Sequence, residues 1–72
     1  MKIKTARIMA ILSKHHRVKL KLTDGADYRN VTITEGKGNY MFVTTFAARE
    51  MDESQVVAFL EENSFFIESF TA

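Results

Sequence analysis

Between Arg17 and Thr34 the chain holds two runs in which apolar and polar side chains strictly alternate, and such runs build a sheet with one dry face and one wet face. In the first, Val18, Leu20 and Leu22 alternate with Lys19, Lys21 and Thr23. In the second, Val31 and Ile33 alternate with Asn30, Thr32 and Thr34. Asp24-Gly25 lies between them and offers turn chemistry, because glycine accepts a positive φ at no steric cost. A second turn, Glu35-Gly36-Lys37-Gly38-Asn39, leads into Tyr40–Phe46, a stretch rich in the aromatic and β-branched residues that favour strands. The expectation is a three-stranded antiparallel meander.

Helical spacing brackets this ribbon. Ile8, Ile11, Leu12 and His15 fall at i, i+3, i+4 and i+7, with Arg7, Ala10 and Lys14 on the opposite side. Thr5 is a candidate cap, and a start nearer Lys2 is the alternative. Further on, Asp52 and Gln55 have the spacing of a capping box, and Met51 and Val56 that of a hydrophobic staple. Val56, Phe59, Leu60 and Asn63 then repeat the helical stripe. Asn63 is a candidate stop, since asparagine tolerates the left-handed conformation. Phe65–Phe70 reads as a short fourth strand. The predicted fold is a single small α+β domain over residues 1–72, of order α-β-β-β-α-β. Both helices pack on the face of the meander that carries Val18, Leu20, Leu22, Val31 and Ile33.

At 72 residues a hydrophobic core supplies roughly 3–5 kcal/mol of net stability. The sequence contains no cysteine, which excludes disulfides and thiolate zinc sites. Such a chain folds on its own core or by pairing with another subunit. No apolar run approaches the roughly 20 residues of a membrane span. Basic residues precede Ile8-Met9-Ala10-Ile11-Leu12 as in a secretion signal, but Lys14-His15-His16-Arg17 stands where a small-residue cleavage site belongs. A cytoplasmic protein is expected, and the Asn30-Val31-Thr32 sequon is then a coincidence.

A net charge of +1 conceals a segregation. Residues 1–21 hold seven Lys and Arg and no acid, whereas residues 50–72 hold six acids and no Lys or Arg. Glu61 and Glu62 fall at the carboxyl end of their expected helix, where negative charge is unfavourable by roughly 0.3–1 kcal/mol. Arg7 and Lys14, a basic partner or a second copy of the chain are the candidates to compensate them.

Catalytic and cofactor chemistry find no constellation. His15 and His16 are adjacent and diverge by about 100° on a helix, so they do not converge on one metal. Ser13, Ser54, Ser64 and Ser69 stand in no nucleophile-turn context. Gly36-Lys37-Gly38 lacks P-loop spacing and precedes a strand rather than a helix, which makes it a hairpin turn. Neither an enzyme nor a bound cofactor is expected.

Two surfaces remain as binding candidates. In Lys37-Gly38-Asn39-Tyr40-Met41-Phe42-Val43-Thr44-Thr45-Phe46 a basic residue and glycine run into alternating aromatics. The stretch resembles the signature strand of RNA-recognition motifs and cold-shock domains over about ten residues, with Asn39 as an insertion and a helix-first order that those motifs lack. The resemblance implies base stacking on Tyr40 and Phe42, with phosphates on Arg17, Lys19 and Lys21. The opposite reading turns Tyr40, Phe42 and Phe46 inward beside Leu20 and Ile33. In Phe65–Phe70, strand alternation puts Phe65 and Ile67 on one face and Phe66 and Phe70 on the other, leaving one set as an exposed patch on an edge strand.

The leading expectation is a non-enzymatic protein-interaction or inhibitor module. It binds a protein partner or itself, as a homodimer, through Glu61, Glu62, Phe66, Glu68 and Phe70. Small cysteine-free domains of this kind are common among accessory and inhibitor proteins of phages and mobile elements, and by that association an accessory protein of this type is expected. The alternative is a single-stranded nucleic-acid-binding domain that uses Arg17, Lys19, Lys21, Tyr40 and Phe42 on an open sheet face.

Overall fold

A computed structural model describes residues 1–72. Helix α1 spans Ile3–His15 and buries Thr5, Ile8 and Leu12. The buried stripe therefore runs one turn nearer the start than the spacing predicts: His15 is exposed and Thr5 takes its place. Lys2, not Thr5, is the N-cap residue. The shift follows from how the helix ends. His16 adopts the left-handed conformation at φ 63° and its N–H donates to the Leu12 carbonyl at 2.8 Å. That turn throws the chain straight into β1 (Arg17–Leu22) with no loop, carrying the last helical residue off the sheet.

Strand β2 (Asn30–Glu35) pairs antiparallel with β1, Val18 opposite Ile33 and Leu20 opposite Val31. In the connection before it, Gly25 does not have a positive φ. Its role is close approach: a Cβ there would lie 2.7 Å from Cε1 of Phe66. Gly38, at φ 80°, is the glycine that supplies a left-handed turn residue, between β2 and β3 (Tyr40–Val43).

The third strand stops at Val43, short of the expected Phe46. Thr44 has the inward parity of Tyr40 and Phe42, and its hydroxyl instead organises a turn, accepting from the N–H groups of Phe46 and Ala47. The chain reverses into β4 (Ala48–Met51), a strand not expected from the sequence because Ala-Arg-Glu-Met has neither alternation nor β-branched residues. Helix α2 (Glu53–Glu62) follows with the predicted capping box formed on both sides: Gln55 N–H donates to Asp52, and the Asp52 N–H to the Gln55 side chain. Asn63 ends the helix differently from the expectation. Its φ is −104°, and its side-chain amide donates to the Phe59 carbonyl at 2.9 Å.

A 3-10 turn at Ser64–Phe66 precedes β5 (Ile67–Thr71). The sheet is thus five-stranded and wholly antiparallel, in the order β4-β3-β2-β1-β5. The three-stranded meander is its centre, with β4 and β5 added as edges. Both helices roof one face. Ile8, Leu12, Val56 and Leu60 close over Val18, Leu20, Leu22, Val31, Ile33 and Phe42 to form the core.

Candidate functional site

The acidic end of α2 and the basic start of α1 meet within the molecule. The Lys2 backbone N–H donates to Glu61 Oε2 at 3.0 Å, and the buried Thr5 hydroxyl donates to the same carboxylate. In return Lys2 Nζ reaches the Glu61 carbonyl at 3.2 Å, while Lys4 Nζ reaches the Ser64 and Ile67 carbonyls at 2.8 Å each. The hydrogen bond from Thr5, then that from the Lys2 N–H, holds the Glu61 carboxyl below its ordinary range. Glu61 is therefore compensated by the N-terminus of α1 rather than by Arg7 or Lys14. It is not free for a partner. Glu62 and Glu68 are exposed.

The aromatics near β5 sort differently from the expected strand alternation, because the 3-10 turn interrupts it. Phe66 is half-buried over Gly25, and Phe70 is half-buried opposite Leu20. Phe65 stands out at 88% exposure, edge-on to Phe66 with ring centroids 5.5 Å apart. The exposed aromatic on this side is thus Phe65, not Phe66 or Phe70.

The bare face of the sheet follows from register. Arg17, Thr34, Met41 and Glu50 form one cross-strand row; Lys19, Thr32, Val43, Ala48 and Thr71 form the next; Lys21 lies between Asn30 and Ser69. Arg17, Lys19 and Lys21 are all exposed, and none takes part in an ion pair or side-chain hydrogen bond. The one acid among these rows, Glu50, sits on the far edge and accepts from the Asn39 amide at 2.5 Å. On either side of the cationic row stand short hydroxyl and amide side chains.

Tyr40 and Phe42 do not belong to this face. Phe42 is 4% exposed and packs T-shaped on Phe59 and Tyr28, at centroid distances of 4.8 and 5.6 Å. Tyr40 is half-buried on the core side opposite Met51. Burial, then the nearby Glu53 and Glu35 carboxylates, pushes its hydroxyl pKa up. Tyr40 and Phe42 therefore lie on the opposite side of the sheet from the exposed Arg17, Lys19 and Lys21, and the stacking platform expected on them is not on the open face. Phe46, expected inward with them, is 92% exposed at the β3–β4 turn. There it walls an open cleft of about 260 Å³, whose other side is Tyr28, Arg29 and Asn30. The sequence signal for this was Thr44, a hydroxyl residue at an inward position between two aromatics.

No three His, Asp or Glu side chains converge as a metal-binding group, and no helix is long and apolar enough to cross a membrane. No family model, curated protein or solved structure matches this chain.

Proposed function

We propose that this chain is a non-enzymatic binding module that holds an anionic partner on the open face of its sheet. The observation that carries the reading is the row Arg17, Lys19 and Lys21: three exposed cations without internal partners, in cross-strand rows whose one acid, Glu50, stands on the far edge strand and is already hydrogen-bonded. Unpaired like charges side by side are mutually repulsive, so an anionic ligand relieves them as well as being attracted. The acidic site favoured by the sequence is weaker on the same grounds, since Glu61 is satisfied within the fold. Retention on a heparin column as a function of salt tests the proposal. The variant Lys19→Glu with Lys21→Glu elutes with the void, whereas Arg7→Glu with Lys14→Glu, which alters exposed cations on α1, stays close to the parent. Equal retention of the two variants defeats the reading.

A second reading, a protein partner or second copy at β5, is supported by Phe65, an exposed ring in the turn just before β5, with Glu62 and Glu68 three positions away on either side in the sequence, and by the unpaired outer edge of β5. Phe65→Ser together with Glu62→Lys abolishes such an interaction. Light scattering that gives the same mass for parent and variant across concentration removes self-association through this edge.

A further inference from the structure

Resting on the open-face reading, we infer that the anionic partner is single-stranded nucleic acid, its backbone following β1 and one unstacked base seated in the cleft between the β1–β2 connection and the β3–β4 turn. Three observations converge. Residues i and i+2 on a strand are about 6.7 Å apart, so Arg17, Lys19 and Lys21 repeat their charge at a step comparable to that between successive phosphates of an extended strand. The rows flanking them are Thr32, Thr34, Ser69 and Thr71. These short side chains leave the cations standing above a floor of hydroxyl groups, which donate to phosphate oxygens. The track then runs into the cleft, because Asn30, which lies opposite Lys21 in the register, also lines it.

The cleft has the chemistry of a base seat rather than a phosphate seat. Phe46 offers an aromatic face at 92% exposure, and stacking on such a ring accepts any base. Asn30 supplies both a donor and an acceptor for a base edge. Asp27, the acid on the cleft wall, repels a phosphate but accepts from an exocyclic amine. Arg29 is partly committed to Asp24, an exposed pair 2.5 Å apart. A volume near 260 Å³ falls below the roughly 300–1,000 Å³ of drug-sized pockets and suits one planar ring system. A duplex fits poorly, since its bases are already stacked and the face projects no helix or ribbon into a groove.

Fluorescence anisotropy with labelled oligonucleotides about twelve residues long, DNA and RNA, tests this beside the matching duplex and a polyglutamate of similar charge. Single strands bind more tightly than duplex or polyglutamate. With three phosphate contacts the slope of log affinity against log salt is about −2, so affinity drops about 20-fold between 50 and 200 mM salt. Phe46→Ala weakens single-strand binding about 5- to 150-fold and leaves heparin retention unchanged. Phe46→Leu, which keeps apolar bulk without the ring, does the same. If polyglutamate binds as well as the oligonucleotides, or neither Phe46 variant alters single-strand affinity, the partner is an acidic protein or another polyanion and this inference fails, while the open-face reading stands. If Lys19→Glu with Lys21→Glu changes neither heparin retention nor oligonucleotide affinity, both fall.

Discussion

The carboxylate of Glu61, in the last turn of α2, accepts the hydroxyl hydrogen of Thr5, buried in the first turn of α1. A glutamate at the end of its own helix opposes that helix's dipole, but here it faces the free N–H groups and positive end of another. Lys2 reverses the geometry, its ammonium on a terminal carbonyl of α2. Each helix thus supplies the other's cap through Lys2, Thr5 and Glu61, and the remaining basic residues of the first third of the chain, Arg17, Lys19 and Lys21 among them, stay outside this contact.

Acid unfolding follows from this contact. The folded-state pKa of Glu61 is lowered, by Thr5 first and then by the Lys2 N–H. Its contribution is therefore complete above the ordinary glutamate value of about 4.3 and is lost as pH falls through the lower folded value. Asp52 acts in the same direction through the Ser54 hydroxyl and the Gln55 N–H. The thermal midpoint, followed by circular dichroism, stays level from neutral pH to about pH 5 and declines below it. Glu61→Gln lowers the neutral midpoint and flattens part of the acid decline, leaving the share of Asp52. Superimposable profiles for parent and variant would show that the contact does not bear on stability.

The parts of the fold legible in the sequence are those set by local periodicity. Val18 through Ile33 announced the two central strands, and Asp52, Gln55, Met51 and Val56 announced the start of α2. What escaped depended on contacts far apart in the chain. Ala48–Met51 becomes a strand because β3 offers it an edge, not because its residues favour one. Thr5 is buried because Glu61 lies across from it, 56 positions away. The basic row of the open face could be read from alternation alone, whereas the aromatic beside it could not. Phe42 and Phe46 share a parity, and the turn organised at Thr44 between them leaves one in the core and the other in solvent.

Phe42 tests that division. Its ring lies between Tyr28 and Phe59, and truncation to alanine costs about 3–5 kcal/mol, comparable with the whole net stability of a domain this size. Phe42→Ala is expected to be largely unfolded at room temperature, and Phe42→Leu to remain folded with a loss of about 1–2 kcal/mol, both read from urea titrations. An alanine variant of parental stability would place the ring outside the core and reopen a stacking role for it.

His16 carries the one non-glycine left-handed conformation in the chain. Such a conformation costs an ordinary residue roughly 1–2 kcal/mol, and more for a β-branched one. His16→Val is expected to destabilise the fold by about that amount. His16→Gly relieves the backbone but gives up the 2.6 Å contact with Glu35. That contact is largely exposed and worth about 0–1 kcal/mol, so the glycine variant stays within about 1 kcal/mol of the parent. Equal losses in the two variants would show that the side-chain contact, not the backbone, is what matters at this turn.

Gly25 and Phe66 make a sharper test of packing, because neither residue alone reveals the constraint. A Cβ at Gly25 would stand 2.7 Å from the Phe66 ring, a separation that forces the ring aside. Nearby, the Phe66 carbonyl accepts the Thr23 N–H at 2.9 Å and ties the same two segments together. That tie holds the Phe66 backbone, so relief has to come from rotation of its half-buried ring. Gly25→Ala is therefore expected to cost about 1–3 kcal/mol, as overpacking does. Phe66→Leu removes the atom that the new methyl strikes, so the cost of Gly25→Ala in that background should fall well below its cost alone. The coupling, measured by urea unfolding of both single variants and the double variant, is then about 0.5 kcal/mol or more in favour of the double. Strict additivity would mean that glycine is required at this position by its own backbone and not by the ring above it.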